Sequence, residues 1–429
     1  MKNRCLRKVD LWVIGLAALV LCEACVGGMA VCSAADSKRQ QDTVPAADAL
    51  FREGWDHHQK REFAIAAEKY SQAIANGKKT ADVYSYLGEV LVELDRYEEA
   101  FTNLSEAIHL DPNDVHAIGI RGMILARQGK LKEAVQEYSV GLAITPNKLT
   151  GTLLGARGEA YWALGQIEKA EEDFEAMIAY DPTQALGYVL RGKLFGAKGQ
   201  YREAINDFSS ALERDATRKF PLFYRGYGYG CLKDYDKALH DYTSLIQAVP
   251  EAAIVYAYRG WIRNHLENYR LAEADLRYAL DHGYRKPFVY LALAYSLAEQ
   301  GQIDQALDTN NAVFSLGPGD AAYFMDAYFQ RGYFFLTKKQ YDQSRSFYEK
   351  GIAVAAQIGM RAVLSARLAD LKAAVESDAE LHQGGKDIVR LLEDAATHVQ
   401  SNPRYEEWSS CKLESSAPVL DEKGISNNF

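Results

Sequence analysis

The chain has few cysteines and few prolines for its 429 residues. It contains 6 cysteines, and all except Cys231 and Cys411 lie in the first 35 residues. Two cysteines so far apart do not make a disulfide framework, so we expect the fold to be stabilised by packing. The chain contains only 10 prolines, and this scarcity favours a helical protein with few long loops.

The sequence also lacks the short motifs of common catalytic and cofactor sites. It has no H-E-x-x-H metal motif, no P-loop, no nucleophile elbow and no paired-cysteine motif. His57 and His58 are adjacent, and adjacent side chains point to different sides of a helix. We place His57 at a packing position and His58 on the open side of the helix, and we expect no metal there. The sequence therefore predicts a protein that is not an enzyme and has no metal and no cofactor.

Basic residues are in deficit along the chain, whose formal net charge is −9. Removal of the first 35 residues, with four basic and two acidic side chains, would change this charge from −9 to −11. Nucleic-acid phosphates attract clustered lysine and arginine, so such an acidic chain is a poor candidate for binding nucleic acid.

The first 35 residues are predicted to be a signal peptide or an N-terminal anchor. Four basic residues precede an uncharged apolar segment at 11–22, and the small residues Ser-Ala-Ala at 33–35 suit a cleavage site. Apolar character resumes after Glu23, so a retained membrane anchor is the alternative. We expect the mature chain to begin near Asp36 and to be exported: periplasmic, secreted or on the outer face of a membrane.

The sequence contains an internal repeat with a period of 34 residues. Alanines recur at this spacing in two blocks, with two extra residues between the blocks: Ala66, Ala100 and Ala134, then Ala170, Ala204, Ala238, Ala272 and Ala306. A ninth copy aligns on Ser344 after an insertion of four residues. When the alanine is numbered as position 20, the fifth copy has packing residues at positions 4, 8, 11, 17, 20, 24 and 27: Tyr188, Gly192, Phe195, Tyr201, Ala204, Phe208 and Ala211. Over residues 47–358 the chain resembles the tetratricopeptide repeat (TPR) family.

The resemblance implies an all-α, right-handed superhelical solenoid of about nine helix pairs. Position 8 is glycine in eight repeats and alanine in the other, so the two helices of a pair can approach closely. Position 15 is glycine in four repeats, where a left-handed residue would end the first helix. We expect a linker at 36–46, C-terminal capping helices at 359–400 and a flexible tail at 401–429. One capping helix is predicted from Arg361 to Leu381, with Gly384 and Gly385 separating it from the next.

The stretch RGYGYG at 225–230 could be mistaken for a phosphate-binding loop. Gly226, however, is position 8 of the sixth repeat, so the stretch is predicted to lie inside a helix with no strand before it. Gly230, like Gly196, falls at position 12, which faces the family's groove. Two explanations remain open: a local widening of the groove for a partner, or relief of crowding between neighbouring repeats.

Opposite charges recur at positions 7 and 23. Five successive repeats have an arginine and an acid there: Arg121 and Glu137, Arg157 and Asp173, Arg191 and Asp207, Arg225 and Asp241, Arg259 and Asp275. The first repeat exchanges the signs as Glu53 and Lys69, whereas Arg331 of the ninth repeat faces Phe347. We favour ion pairs that join the two helices of a repeat, and the alternative is an arginine ladder that binds anions.

In the TPR family the first helix of each repeat lines a concave groove. Chaperone-binding members carry a clamp of Lys, Asn and Arg there, and this chain has other residues at the clamp positions of its first three repeats: Phe51, Trp55, Tyr86, His116 and Ile120. Positions 5, 6 and 9 are instead rich in aromatic residues, which are common anchors of protein interfaces. The predicted partner-binding residues are Trp55, Tyr86, Tyr224, Tyr227, Tyr258, Trp261, Tyr295, Phe329 and Tyr333. For each of them, packing between repeats is the alternative role.

The function that these patterns predict is that of an exported scaffold which binds a protein or peptide in an aromatic groove. One alternative is an accessory protein that binds a glycan or cell-wall polymer, because aromatic grooves also stack on sugars. Another is a structural protein that assembles with itself. We expect no nucleic-acid partner, and contact with a membrane only through an uncleaved N-terminus.

Overall fold

The computed structural model describes residues 45–144, 148–316, 321–377 and 382–399. Within these ranges the chain forms twenty α-helices and no β-strand. The helices are α1 (Pro45–Gln59), α2 (Phe63–Ala75), α3 (Ala81–Glu93), α4 (Tyr97–Leu110), α5 (Val115–Arg127), α6 (Leu131–Ala143), α7 (Thr150–Ala163), α8 (Ile167–Tyr180), α9 (Ala185–Ala197), α10 (Tyr201–Arg214), α11 (Pro221–Cys231), α12 (Tyr235–Ala248), α13 (Ala253–His265), α14 (Tyr269–Asp281), α15 (Pro287–Glu299), α16 (Ile303–Ser315), α17 (Ala321–Thr337), α18 (Tyr341–Ile358), α19 (Arg361–Ser377) and α20 (His382–His398). The predicted all-α fold is confirmed.

Three of the predicted segments lie outside the described residues, wholly or in part. They are the signal peptide or anchor at 1–35, most of the linker at 36–46 and the tail at 401–429. The first described helix begins at Pro45, near the end of the predicted linker. None of the helices in the described ranges combines the length and the apolar character needed to span a membrane.

The helices form the predicted pairs. Each odd-numbered helix up to α17, which we call an A helix, packs against the even-numbered B helix that follows it. Glycine at position 8 permits this approach: a Cβ on Gly158 would lie 2.5 Å from the ring of Phe174, and one on Gly88 would lie 2.5 Å from Leu104. Any larger residue at these positions would push the two helices apart.

Every repeat makes the turn between its A and B helices through a left-handed residue at position 15. Four of these residues are the predicted glycines, with φ between 73° and 78°: Gly129, Gly165, Gly199 and Gly301. The other five are not glycine and have φ between 57° and 61°: Arg61, Asp95, Lys233, Glu267 and Lys339. Five repeats therefore adopt the left-handed conformation although a side chain disfavours it. The packing of the two helices, and not the residue at position 15 alone, determines this turn.

The described chain divides into two compact units. The N-terminal unit contains the residues up to Lys198 together with Asn206–Ala216, and the C-terminal unit contains Gly199–Ile205 together with the residues from Thr217 onward. In eight of the nine repeats the B helix buries an aromatic or leucine at position 24, such as Tyr138 and Tyr242, against the glycine of the A helix, and the eighth repeat has Asn310 there.

The chain ends, within the described ranges, in two helices that follow the ninth repeat. Both α19 and α20 pack against α18, and Leu364, Leu371 and Leu392 are buried in a core that they share with it. The prediction that Gly384 and Gly385 separate the two helices is wrong, because α20 begins at His382 and contains both glycines. A Cβ on Gly385 would clash with the side chain of Val375, so this glycine allows close packing of α20 against α19.

Candidate partner-binding surface

The nine predicted partner-binding residues lie on A helices, and neighbouring A helices contact one another inside each unit. These contacts join α3, α5, α7 and α9 in the N-terminal unit, and α11, α13, α15 and α17 in the C-terminal unit. Some side chains at positions 5, 6 and 9 therefore pack between neighbouring repeats, and others lie on the surface of the A helices.

Three of the nine residues are buried. Tyr224, Tyr227 and Phe329 keep 3–4% of their surface exposed. Tyr227 packs edge-on against Tyr258 with ring centroids 5.8 Å apart, and Phe329 packs 5.9 Å from Tyr348. The expectation that these three side chains line an open groove needs correction, because the neighbouring helices cover them.

The other six residues keep part of their surface exposed. In the N-terminal unit, Trp55 and Tyr86 form an edge-on pair with centroids 5.0 Å apart. In the C-terminal unit, Trp261 packs 4.8 Å from His265, whose ring stacks on Tyr235 at an interplanar angle of 6°. Their role in binding a partner stays a prediction.

Tyr295 is the most exposed of the predicted residues, at 36%. Its ring lies 6.0 Å from that of Tyr269, and a hydrogen bond links the two hydroxyls. Burial and the charge of Glu299 both raise the pKa of Tyr295. We call six side chains of the C-terminal unit the aromatic face: Tyr235, Trp261, His265, Tyr269, Tyr295 and Tyr333.

The glycines of RGYGYG are explained by packing. All three lie in α11, and a Cβ at Gly226 would be 3.1 Å from Tyr242. A Cβ at Gly228 would be 3.0 Å from Ile205, and one at Gly230 would be 3.0 Å from both Trp261 and Ile262. Of the two explanations offered for Gly230, these contacts favour relief of crowding between repeats. The stretch lies within a helix, as predicted.

The charge pairs at positions 7 and 23 join the two helices of a repeat. In each of the five pairs the arginine Nη2 lies 2.7–2.8 Å from a carboxylate oxygen, and the Nε donates a second hydrogen bond to the carboxylate. The exchanged pair Lys69–Glu53 has the same role at 2.6 Å. Since the guanidinium groups are occupied in this way, the structure favours the structural interpretation over an anion-binding ladder.

Arg331 of the ninth repeat makes different contacts from the other position-7 arginines. This was predicted, because the facing position 23 holds Phe347 and not an acid. Its guanidinium lies 5.0 Å from the ring centroid of Phe347 and donates a hydrogen bond to Asn311. Burial lowers the pKa of Arg331 below its usual value. The arginine therefore packs as a flat cation over an aromatic ring, where the five repeats with a position-7 arginine described above have a carboxylate.

Sequence reasoning missed two buried polar groups at position 9 of the N-terminal unit. Glu89 is 7% exposed and lies 3.1 Å from His116 and 3.9 Å from His58. The assignment of the two adjacent histidines was reversed, since His58 is buried and His57 is partly exposed. Burial lowers the pKa of His58, the attraction of Glu89 notwithstanding.

The second buried group is Glu159, which is 3% exposed and has Lys193 nearby. Burial raises the pKa of Glu159 to about 8, because the charged form would lose its hydration. Its Oε1 has no hydrogen-bond partner. The sequence did contain a signal for both Glu89 and Glu159. Each is a charged residue at position 9, which is aromatic or apolar in most of the repeats. In the described part of the chain, no three His, Cys, Asp or Glu side chains come together as a metal site.

Family models agree with the repeat that the structure displays. Three models described as tetratricopeptide repeat match residues 51–115 and 92–148, residues 152–184, 185–218 and 326–358, and residues 287–309. Together these ranges cover just over half of the chain. The chain belongs to the tetratricopeptide repeat family. This repeat fold is compatible with a scaffold for protein–protein interaction, and none of the matching models is described as a catalytic domain.

Two curated relatives match short parts of the chain. The BBSome complex member BBS4 of Bos taurus is 30% identical over 118 residues, which is 28% of this chain and 22% of the relative. The human mitochondrial import receptor subunit TOM70 is 26% identical over 160 residues, which is 36% of this chain and 26% of the relative. The chain thus spans about a quarter of the length of these relatives.

Solved structures are also similar to the chain. A tetratricopeptide repeat protein from Parabacteroides merdae is 18% identical with a TM-score of 0.46, covering 58% of this chain and 98% of that protein. PilF of Pseudomonas aeruginosa is 17% identical with a TM-score of 0.43, covering 48% of this chain and 92% of that protein.

Proposed function

We propose that this TPR protein is a non-enzymatic scaffold that binds a polypeptide partner on the A-helix surface of its C-terminal unit. The aromatic face is the observation that carries the proposal. Trp261, Tyr295 and Tyr333 keep part of their surface exposed on successive A helices. Tyrosine and tryptophan bury large, rigid areas at little entropic cost and carry a polar group at one end, so they suit a protein interface.

Affinity capture from the native compartment tests this function. The full chain is used as bait, and the captured material is analysed for polypeptides and for glycans. We expect the wild-type chain to capture polypeptides. A variant in which Trp261 and Tyr295 are both changed to alanine should no longer capture them. Capture of glycans instead, or of further copies of the chain alone, would contradict the proposal and favour one of the two alternatives.

We propose further that the scaffold is exported. The basic start, the apolar segment at 11–22 and the small residues at 33–35 support this location. N-terminal sequencing of the protein from its native host should find a mature chain that begins near Asp36 in an extracytoplasmic fraction. An intact Met1 in a cytosolic fraction would refute export.

A further inference from the structure

Three tyrosines gather at one end of the aromatic face. Tyr269 and Tyr295 pack edge-on at 77° with their hydroxyls hydrogen-bonded. Tyr333, from the A helix of the next repeat, is close enough to Tyr295 for their hydroxyls to interact electrostatically. Since Tyr295 is 36% exposed, the group offers accessible aromatic surface to a partner.

Two carboxylates lie beside these rings without a cation. Glu299 ends α15 one turn after Tyr295, and Glu267 precedes Tyr269 by two residues in the left-handed turn before α14. Both carboxylates interact electrostatically with Tyr269. Partial desolvation, together with repulsion from Glu267, raises the pKa of Glu299. Among the described residues, no lysine, arginine or histidine forms an ion pair with either glutamate.

This combination has the chemistry of a receptor for a positively charged side chain. A cation over the face of a tyrosine ring is attracted by the ring quadrupole. Two uncompensated carboxylates add charge complementarity, which favours a basic partner and disfavours an acidic one. We infer that these five residues, the acidic tyrosine cluster (Tyr269, Tyr295, Tyr333, Glu267 and Glu299), dock a lysine or arginine side chain of an extended basic segment in a partner polypeptide. The inference rests on the proposed function and names the chemistry of its partner.

Fluorescence anisotropy with labelled glycine–serine peptides tests the inference. One peptide carries a central pair of arginines, a second carries citrulline in their place, and a third carries glutamate. We expect the arginine peptide to bind about tenfold more tightly than the citrulline peptide, and the glutamate peptide to bind most weakly. Glu299→Gln should weaken arginine-peptide binding by about fivefold, as should Tyr295→Ala, whereas Tyr295→Phe keeps the ring and should stay within about twofold.

Asp281→Asn is the matched control for charge. It removes one negative charge from the exposed end of α14, twelve residues and therefore roughly 18 Å along the helix from Tyr269. We expect it to change binding by less than about twofold, since exposed charges at that distance are screened by salt. Thermal melts confirm that each variant is folded.

The outcomes separate this inference from the proposed function. Equal binding of the arginine and citrulline peptides would overturn the inference, as would equal weakening by Glu299→Gln and Asp281→Asn. If Glu299→Gln and Tyr295→Ala capture the same polypeptides as the wild-type chain, the inference is also wrong but the scaffold function stands. If the wild-type chain captures no polypeptide, the proposed function itself fails.

Discussion

Glu159 is a glutamate in an environment that disfavours its charge. Its folded pKa of about 8 lies above the ordinary value of 4.5 because burial outweighs the attraction of Lys193. A carboxyl group with a raised folded pKa stabilises the fold below its unfolded pKa, and this contribution is lost as the pH rises through the folded pKa. The protein should therefore lose stability between about pH 4.5 and pH 8 because of this residue.

Glu159→Gln keeps the shape of the side chain and removes the ionisation. We expect little change in the free energy of unfolding near pH 4.5, and a gain of roughly 2–4 kcal/mol above pH 8. Urea unfolding curves measured across this pH range give both values. A gain that is independent of pH would mean that Glu159 titrates normally in the folded protein.

Lys233 occupies the left-handed turn position that is glycine in four other repeats. A side chain at positive φ costs about 1 kcal/mol relative to glycine, so Lys233→Gly should stabilise the chain by up to that amount. Gly199→Ala, at the same position of the preceding repeat, should destabilise it by a similar amount. Thermal unfolding of both variants checks the pair, and the same sign of change in both would contradict this account of the turn.

At the scale of the helix pair, the buried carboxylate of Asp241 joins α12 to α11 through Arg225. Asp241→Asn should lower the unfolding free energy by about 1–3 kcal/mol, because Arg225 loses its charge partner. Asp236→Asn, on an exposed part of the same helix, should change it by less than about 0.5 kcal/mol. Exchanging the pair as Arg225→Asp with Asp241→Arg should restore part of the loss, as Glu53 and Lys69 suggest. A double-mutant cycle without coupling energy would refute the pairing.

Gly230 tests the contact between the A helices of neighbouring repeats. Gly230→Ala gains helix propensity of about 1 kcal/mol but places a methyl group 3.0 Å from Trp261, so we expect a small net effect. Gly230→Leu overfills the contact and should destabilise the chain by roughly 1–3 kcal/mol in urea unfolding. If Gly230→Leu left the stability unchanged, the groove-widening explanation would be preferred to the packing one.

The helix pairs and the ion pairs that join them could be predicted well from the sequence, because both depend on contacts inside one repeat. Gly158 against Phe174 and Arg225 against Asp241 recur at fixed spacing, so a single chain supplies several copies of the same signal. The burial of Tyr227 and Glu159 depends on neighbouring repeats, whose side chains at the contact differ from one repeat to the next. Positions 5, 6 and 9 of the A helices could therefore be located from the sequence, but the exposure of their side chains could not.

At the scale of the whole molecule, the two helices of each repeat have different roles. In eight of the nine repeats the B helix contributes a buried aromatic or leucine side chain at position 24 to the core, and the A helices carry four of the six side chains of the aromatic face. A scaffold of this kind binds through surface that packing leaves exposed, so the partner should contact the A helices of the C-terminal unit and leave the outer side of its B helices free.

Site-specific photo-crosslinking in the native host tests this claim most directly. A benzoylphenylalanine is introduced at Tyr295 on the A helix α15 or, as the control, at Arg277 on the B helix α14, whose side chain is 47% exposed. Arg277 lies eight residues, and therefore roughly 12 Å along the helix, from Tyr269. We predict that illumination attaches a polypeptide to the Tyr295 variant and not to the Arg277 variant. Crosslinks of equal yield at both positions, or at Arg277 alone, would contradict the account.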